Sequence, residues 1–155
     1  MTGVALPTPG RGTGVPTIAG LRFAHPDFDD GGRVGLVCTG TGRLERVSDG
    51  DLLRQSLLIL LSTFPGERVM RPDYGCDLLS LAFAPNDDTT AGLAIHYVRR
   101  AVERFEPRVR ILRVDADRSA DRPECLDVTL EYQPRIGGSA DTLVVGLPLA
   151  DAPES

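Results

Sequence analysis

The passage from Thr89 to Val114 limits the possible folds of this chain more than any other stretch. Apolar residues at Ala91, Ile95, Val98, Val102 and Phe105 recur at spacings of four, three, four and three. That rhythm predicts an amphipathic helix with one stripe facing a partner surface. Asp87, Asp88 and Thr89 offer capping oxygens at its start. Pro107 ends it, because proline has no backbone N–H and disfavours helical geometry at the preceding Glu106. The chain must turn at Glu106 and leave extended. A glutamate there opposes the negative end of the helix dipole, at a cost of roughly 0.3–1 kcal/mol when exposed. Arg108 offsets this if its guanidinium reaches back. Two readings follow: a helix stop with a surface ion pair, worth little, or a rigid acid–base pair that docks into another protein.

The rest of the chain supplies what that helix packs on. Ser48 and Asp51 open a helix over 49–62. Its Leu53, Leu57, Leu60 and Leu61 share a face that Leu52, Leu58 and Ile59 widen, so it should be the central buried helix. Phe64-Pro65-Gly66 stops it. Asp77 is placed to cap a short helix over 77–83 presenting Leu78, Leu79 and Leu81. The long helix occupies 88–106. Beyond Arg108 the period changes to two: 108–117, predicted to be covered on both sides, then 124–133 and 141–149 read as strands of an antiparallel meander. Residues 33–47 read as a hairpin around Gly40-Thr41-Gly42 that must pair with something further, since two strands alone are marginal. The expected class is α+β. Its parts are a flexible Gly/Pro-rich arm over 1–32, one domain over 33–149 and a short tail at 150–155. Only 5% of residues are aromatic and Trp is absent, so aliphatic side chains must fill the core.

Several chemistries find no support. A net charge of −5 argues against a nucleic-acid partner, which would want a basic face. All 17 basic residues are Arg, which suits planar bidentate contacts but equally reflects a GC-rich genome. Cys38, Cys76 and Cys125 are widely spaced with no CxxC pair, which fits reduced thiols in a cytoplasm and neither zinc nor a disulfide framework. His25 and His96 are far apart. No phosphate-binding glycine loop or GxSxG elbow is present. The N-terminus does not read as a signal peptide, and the longest wholly apolar run, Leu57 to Leu61, is too short to span a membrane. No cofactor, metal or catalytic residue is expected. Glu67 and Asp73 near Tyr74 are the only carboxylates with any claim to glycosidase work, and surface solvation explains them better.

Two motifs carry a resemblance. One is Gly66-Glu67-Arg68 followed by Arg71-Pro72-Asp73-Tyr74-Gly75-Cys76-Asp77-Leu78. The other is Glu106-Pro107-Arg108 at the end of the next long helix. In this order and spacing the sequence resembles the baseplate-wedge, sheath-initiator proteins of contractile phage tails, type VI secretion and extracellular contractile injection systems (gpW-like and lysozyme-like baseplate proteins), over roughly Asp51 to Tyr132. The resemblance implies a structural protein, not an enzyme, assembled in the cytoplasm into a tail-like particle with six-fold placement around the inner tube or hub. It implies partner contacts through Glu106, Pro107 and Arg108 toward the helical bundle of larger wedge proteins. The first motif, with Gly66, Glu67, Arg68, Pro72, Tyr74 and Gly75, joins them as partner-binding residues. It also implies that exposed strands accept extended arms of the first sheath ring by strand addition, with Arg33–Val47 and Thr142–Leu149 as candidate edges from their pattern. Some members carry a lysozyme-like label, which gives the alternative of a muramidase acting on peptidoglycan.

Overall fold

The hairpin finds its partner in the chain's own N-terminal region. The computed structural model describes residues 19–24 and 34–149; most of the expected arm and the tail lie outside the described residues. Two short strands, β1 (Ala19–Leu21) and β2 (Phe23–Ala24), run antiparallel to the hairpin arms. β2 pairs with β3 (Gly35–Leu36), and β1 pairs with β4 (Arg46–Ser48). A Cys38–Leu44 bridge closes the hairpin near its tip, where Thr39 N–H donates to Arg43 O at 2.7 Å.

Helix α1 (Asp49–Ser62) follows directly. Ser48 sits at its N-cap, but the expected capping bond from its side chain is not made. Leu53, Leu57, Leu60 and Leu61 are buried. On a second flank, Gln55 holds the 19–24 segment as a strand partner would. Its Oε1 accepts Phe23 N–H at 2.8 Å, and its Nε2 donates to Leu21 O at 2.9 Å. Gly20 allows this close approach, since a Cβ there would lie 2.6 Å from Leu52 Cδ1.

The expected helix over 77–83 is instead a 3₁₀ helix, Asp77–Leu81, and Asp77 lies inside its first turn without capping it. Three residues per turn place Leu78 and Leu81 one above the other, both buried, and leave Leu79 outside. Helix α2 (Asp88–Phe105) is capped by Asp87, whose carboxylate accepts Thr90 N–H at 2.8 Å. Its buried stripe is Thr90, Ala94, Val98, Ala101 and Val102. The stripe is rotated from the expected one because Ala94 and Ala101 let the helix approach closely, and Ala91, Ile95 and Phe105 become flanks.

The meander is a three-stranded antiparallel sheet of order β5 (Val109–Arg118), β6 (Cys125–Pro134), β7 (Asp141–Pro148). β5 is not covered on both sides. Val109, Val114 and Ala116 are buried, whereas Leu112 is 45% exposed. A register shift between Ile111 and Arg113 adds one residue and reverses which face alternate side chains take. Along β7, Leu143, Val145 and Leu147 turn inward and alternate with exposed residues. Both helices contribute to the one core beneath the sheet, around Leu57, Leu60, Val98, Val102, Leu126 and Leu130. The α+β class expected from the pattern is the one observed.

Candidate functional site

The two sequence motifs meet at Tyr74. The turn after α1 is shaped by backbone demands. Glu67 Oε2 accepts Phe64 N–H at 2.9 Å, so this carboxylate is spent on closing the turn. Gly66 takes φ +98 in the open. Gly75 takes φ +137 against the end of α1, where a Cβ would lie 2.5 Å from Thr63 O. Only glycine suits both conditions. Cys76 N–H then donates to Thr63 O at 2.9 Å, pinning the loop. Between these fixed points Arg68, Val69, Met70, Arg71 and Pro72 are exposed, with Val69 and Met70 more than 90% accessible.

Tyr74 carries the loop onto the corner. Its ring lies 5.2 Å from that of Phe105, the last residue of α2, and the Arg68 guanidinium stacks over it at 4.5 Å. Arg71 stands 6.0 Å from the same centroid. Burial raises the Tyr74 hydroxyl above its usual range; the Arg68 charge opposes this, and nearby Glu106 adds to it.

Glu106 is turned inward, only 3% exposed. Its carboxylate accepts from Arg108 Nε at 2.5 Å and Nη2 at 2.6 Å, a two-point contact, and from Ser56 Oγ of α1 at 2.6 Å. The guanidinium does reach back, so it offsets the charge of Glu106 at the helix C-terminus. Burial alone would raise the Glu106 pKa, but the bonds from Arg108 and Ser56 outweigh it and hold the carboxylate below its usual range. Its contacts are therefore internal. Pro107 is exposed, and 39% of the Arg108 side chain remains accessible. Ser56 has no sequence signal: it is one small polar residue in a leucine-rich helix, and only the fold brings it to residue 106.

The chemistry of this cluster is that of a brace. A general acid needs a carboxyl pKa pushed up, and the buried carboxylate here is pushed down. Asp73 is ion-paired with Arg104 at 2.7 Å on the surface. Among the described residues, no three His, Cys, Asp or Glu converge as a metal site would require. No described helix is long and apolar enough to cross a membrane.

The second candidate feature is the sheet margin. β5 and β7 are the two edges. The β5 edge is interrupted by its bulge, and Ala116 N–H is capped by Asp115 Oδ1 at 3.1 Å. Both devices blunt a strand against pairing. β7 has no bulge. Beside it lies a groove of about 380 Å³ between the sheet, α1 and the N-terminal strands, lined in part by Phe23, Val47, Leu58, Ile59, Leu143 and Val144. Of the two edges expected in the sequence, the Arg33–Val47 hairpin already has both arms paired with residues 19–24.

Comparison with known proteins identifies the family and the fold. The family model described as "Baseplate wedge protein gp25" matches residues 47–137, more than half of the chain. The baseplate wedge protein gp25 of Enterobacteria phage T4 is 33% identical over 63 residues, covering 41% of this chain and 48% of that protein. The chain thus matches about half the length of that relative. Among solved structures, a Geobacter sulfurreducens protein with a provisional tail-lysozyme name superposes with a TM-score of 0.59 at 34% identity, over 64% of this chain and 90% of that one. A chain of the anti-feeding prophage baseplate superposes with a TM-score of 0.62 at 21% identity, over 75% and 86%, a likeness of fold.

Proposed function

The chain belongs to the baseplate wedge protein gp25 family, and we propose that within a contractile tail-like particle it joins the wedge to the first sheath ring and starts sheath growth. Its working parts are two surfaces with different chemistry. The corner presents Pro107 and the free side of Arg108, beside the Arg68–Tyr74 stack and the exposed Val69-Met70 tip. This surface is the candidate contact for the helical bundle of larger wedge proteins. Glu106 serves it from within, as the residue that orients Arg108.

The β7 edge is the surface for the sheath. An extended arm adding to an open edge gains main-chain hydrogen bonds and places alternate side chains in the adjoining groove. The observation that carries this reading is the contrast between the edges: β5 is broken by a bulge, while β7 keeps an unbroken register and is flanked by a groove of mixed apolar and charged lining. The experiment is Val144→Pro. Proline removes the N–H at an edge position and is tolerated where that group faces solvent. The chain should fold and enter baseplates that then fail to nucleate sheath. Sheath growth at the wild-type rate on such baseplates would end the proposal.

The tail-lysozyme name of the Geobacter relative keeps a second reading in view, cleavage of peptidoglycan by Glu67 and Asp73. Both carboxylates are engaged in local structure, Glu67 in the Phe64 turn and Asp73 with Arg104. A cell-wall turbidity assay of the wild-type chain against Glu67→Gln with Asp73→Asn separates the two.

A further inference from the structure

We infer that Arg54 and Asp141 set the register in which an added strand pairs with β7; the inference rests on the strand-addition reading above. In an antiparallel strand, the N–H and C=O of one residue point to the same side, and the side alternates along the chain. Leu149 N–H donates to Glu124 O, toward the β6 side. Counting back through the unbroken β6–β7 register, Leu147, Val145 and Leu143 also face β6. The outward groups therefore belong to Thr142, Val144, Gly146 and Pro148.

The four positions are not equivalent. Both outward groups of Thr142 are already occupied. Its N–H donates to Asp141 Oδ1 at 2.8 Å, and its carbonyl accepts from Arg54 Nη1 at 2.8 Å. Asp141 is held for this task by Arg54 Nη1 at 3.1 Å and by the Tyr132 hydroxyl at 2.8 Å, both on Oδ2. One side chain from α1 and one from β7 thus do at Thr142 what a neighbouring strand would do. At the other end Pro148 has no N–H to offer. Among the described residues, no side chain hydrogen-bonds the outward groups of Val144 or Gly146, although the Arg122 guanidinium lies over the face of Gly146, its Nη2 2.8 Å from where a Cβ would stand.

The open edge is consequently a short window, Val144 to Gly146, closed at one end by an ion pair and at the other by a proline. The partner that fits is an extended segment of a second polypeptide that pairs with those two residues. One of its side chains turns into the groove beside Leu58 and Ile59, which Asp51 and Arg54 also line. A slip by one residue would turn that side chain away from the groove. A slip by two toward Thr142 would have to displace Arg54 and Asp141. The ion pair acts as a stop, and register is fixed without a long interface.

Amide hydrogen exchange of the full chain tests this, first free and then co-assembled with the sheath protein of the same particle. In the free chain the Thr142 amide should exchange slowly and those of Val144 and Gly146 fast. Asp141→Ala should speed Thr142 by about tenfold, the scale of one hydrogen bond's net contribution. On assembly, Val144 and Gly146 should become protected. In Arg54→Ala and Asp141→Ala assemblies, new partner-dependent protection should spread to Thr142. Arg54 and Asp141 are both more than 40% exposed at the side chain, and Arg54→Ala, unlike Asp141→Ala, leaves the hydroxyl of buried Tyr132 bonded to Asp141, so it is the variant that spares the core. Protection of Val144 and Gly146 that never appears would sink strand addition itself. Protection that appears in the same two places with or without Arg54 and Asp141 would leave addition standing and overturn the register stop.

Discussion

Glu106→Gln is the perturbation that most directly tests the brace. Glutamine keeps the shape and can still accept from Ser56, but it removes the charge that binds Arg108 at two points. Breaking a fully buried ion pair costs about 3–5 kcal/mol. Here one member is 4% exposed and the other 39%, so the orphaned guanidinium keeps part of its water. The expected loss at neutral pH is correspondingly lower, about 2–3 kcal/mol. For a chain of this size that is a fall in Tm of roughly 4–12 °C. The pH dependence follows from the direction of the shift. The folded carboxyl titrates below its ordinary value of 4.5, so its stabilisation is complete above that value and disappears as pH falls through the lower folded value. The gap between wild type and Glu106→Gln should be wide at pH 7 and narrow progressively below pH 4.5. Urea melts of both proteins from pH 7 down to pH 3 measure it. A gap that stays constant across that range, or none at pH 7, would refute the assignment of Glu106 as an ionised internal brace.

Further outcomes follow from other parts of the fold. Gly75→Ala combines a positive φ with a Cβ placed 2.5 Å from a backbone oxygen, and should cost at least about 1–3 kcal/mol in denaturant melts. Gly66→Ala, equally left-handed but in open space, should cost less. Native protein should react at one thiol, exposed Cys38, with a disulfide reagent at pH 8; Cys76, whose burial pushes its thiol up to about 11, and buried Cys125 should react only after denaturation. Gln55→Ala removes both bonds that tie residues 21–23 to α1, and should release protection of the Phe23 amide while leaving β5–β7 unchanged in hydrogen exchange.

The helices and meander were legible because each has a period that local chemistry enforces: leucines in α1, the Asp87 cap and Pro107 stop of α2, alternation in β6 and β7. What stayed hidden was long-range. Residues 19–24, Ala-Gly-Leu-Arg-Phe-Ala, are too few to carry a readable period and follow a Gly/Pro-rich stretch, yet Gly20 is where that segment must touch Leu52. The β5 bulge is one inserted residue, which averages out of any alternation count. At the site, Glu106, Arg108 and Tyr74 were singled out in the sequence, and the fold gathers them. The inward direction of Glu106 was not, because it depends on Ser56, 50 residues away. Arg54, Gln55 and Asp141 carried no signal in the sequence for the same reason, and Tyr132, legible as one of the inward residues of its strand, gave no sign that its hydroxyl reaches Asp141.

The inward grip on Arg108 has a kinetic consequence. A free arginine samples many rotamers, and freezing them on encounter costs a complex up to about 2 kcal/mol. In this chain Glu106 has already selected one rotamer during folding, so the guanidinium meets its neighbour aimed. If the corner docks as proposed, a subunit built this way offers its wedge partner a guanidinium already set, and a copy not folded around Ser56 does not.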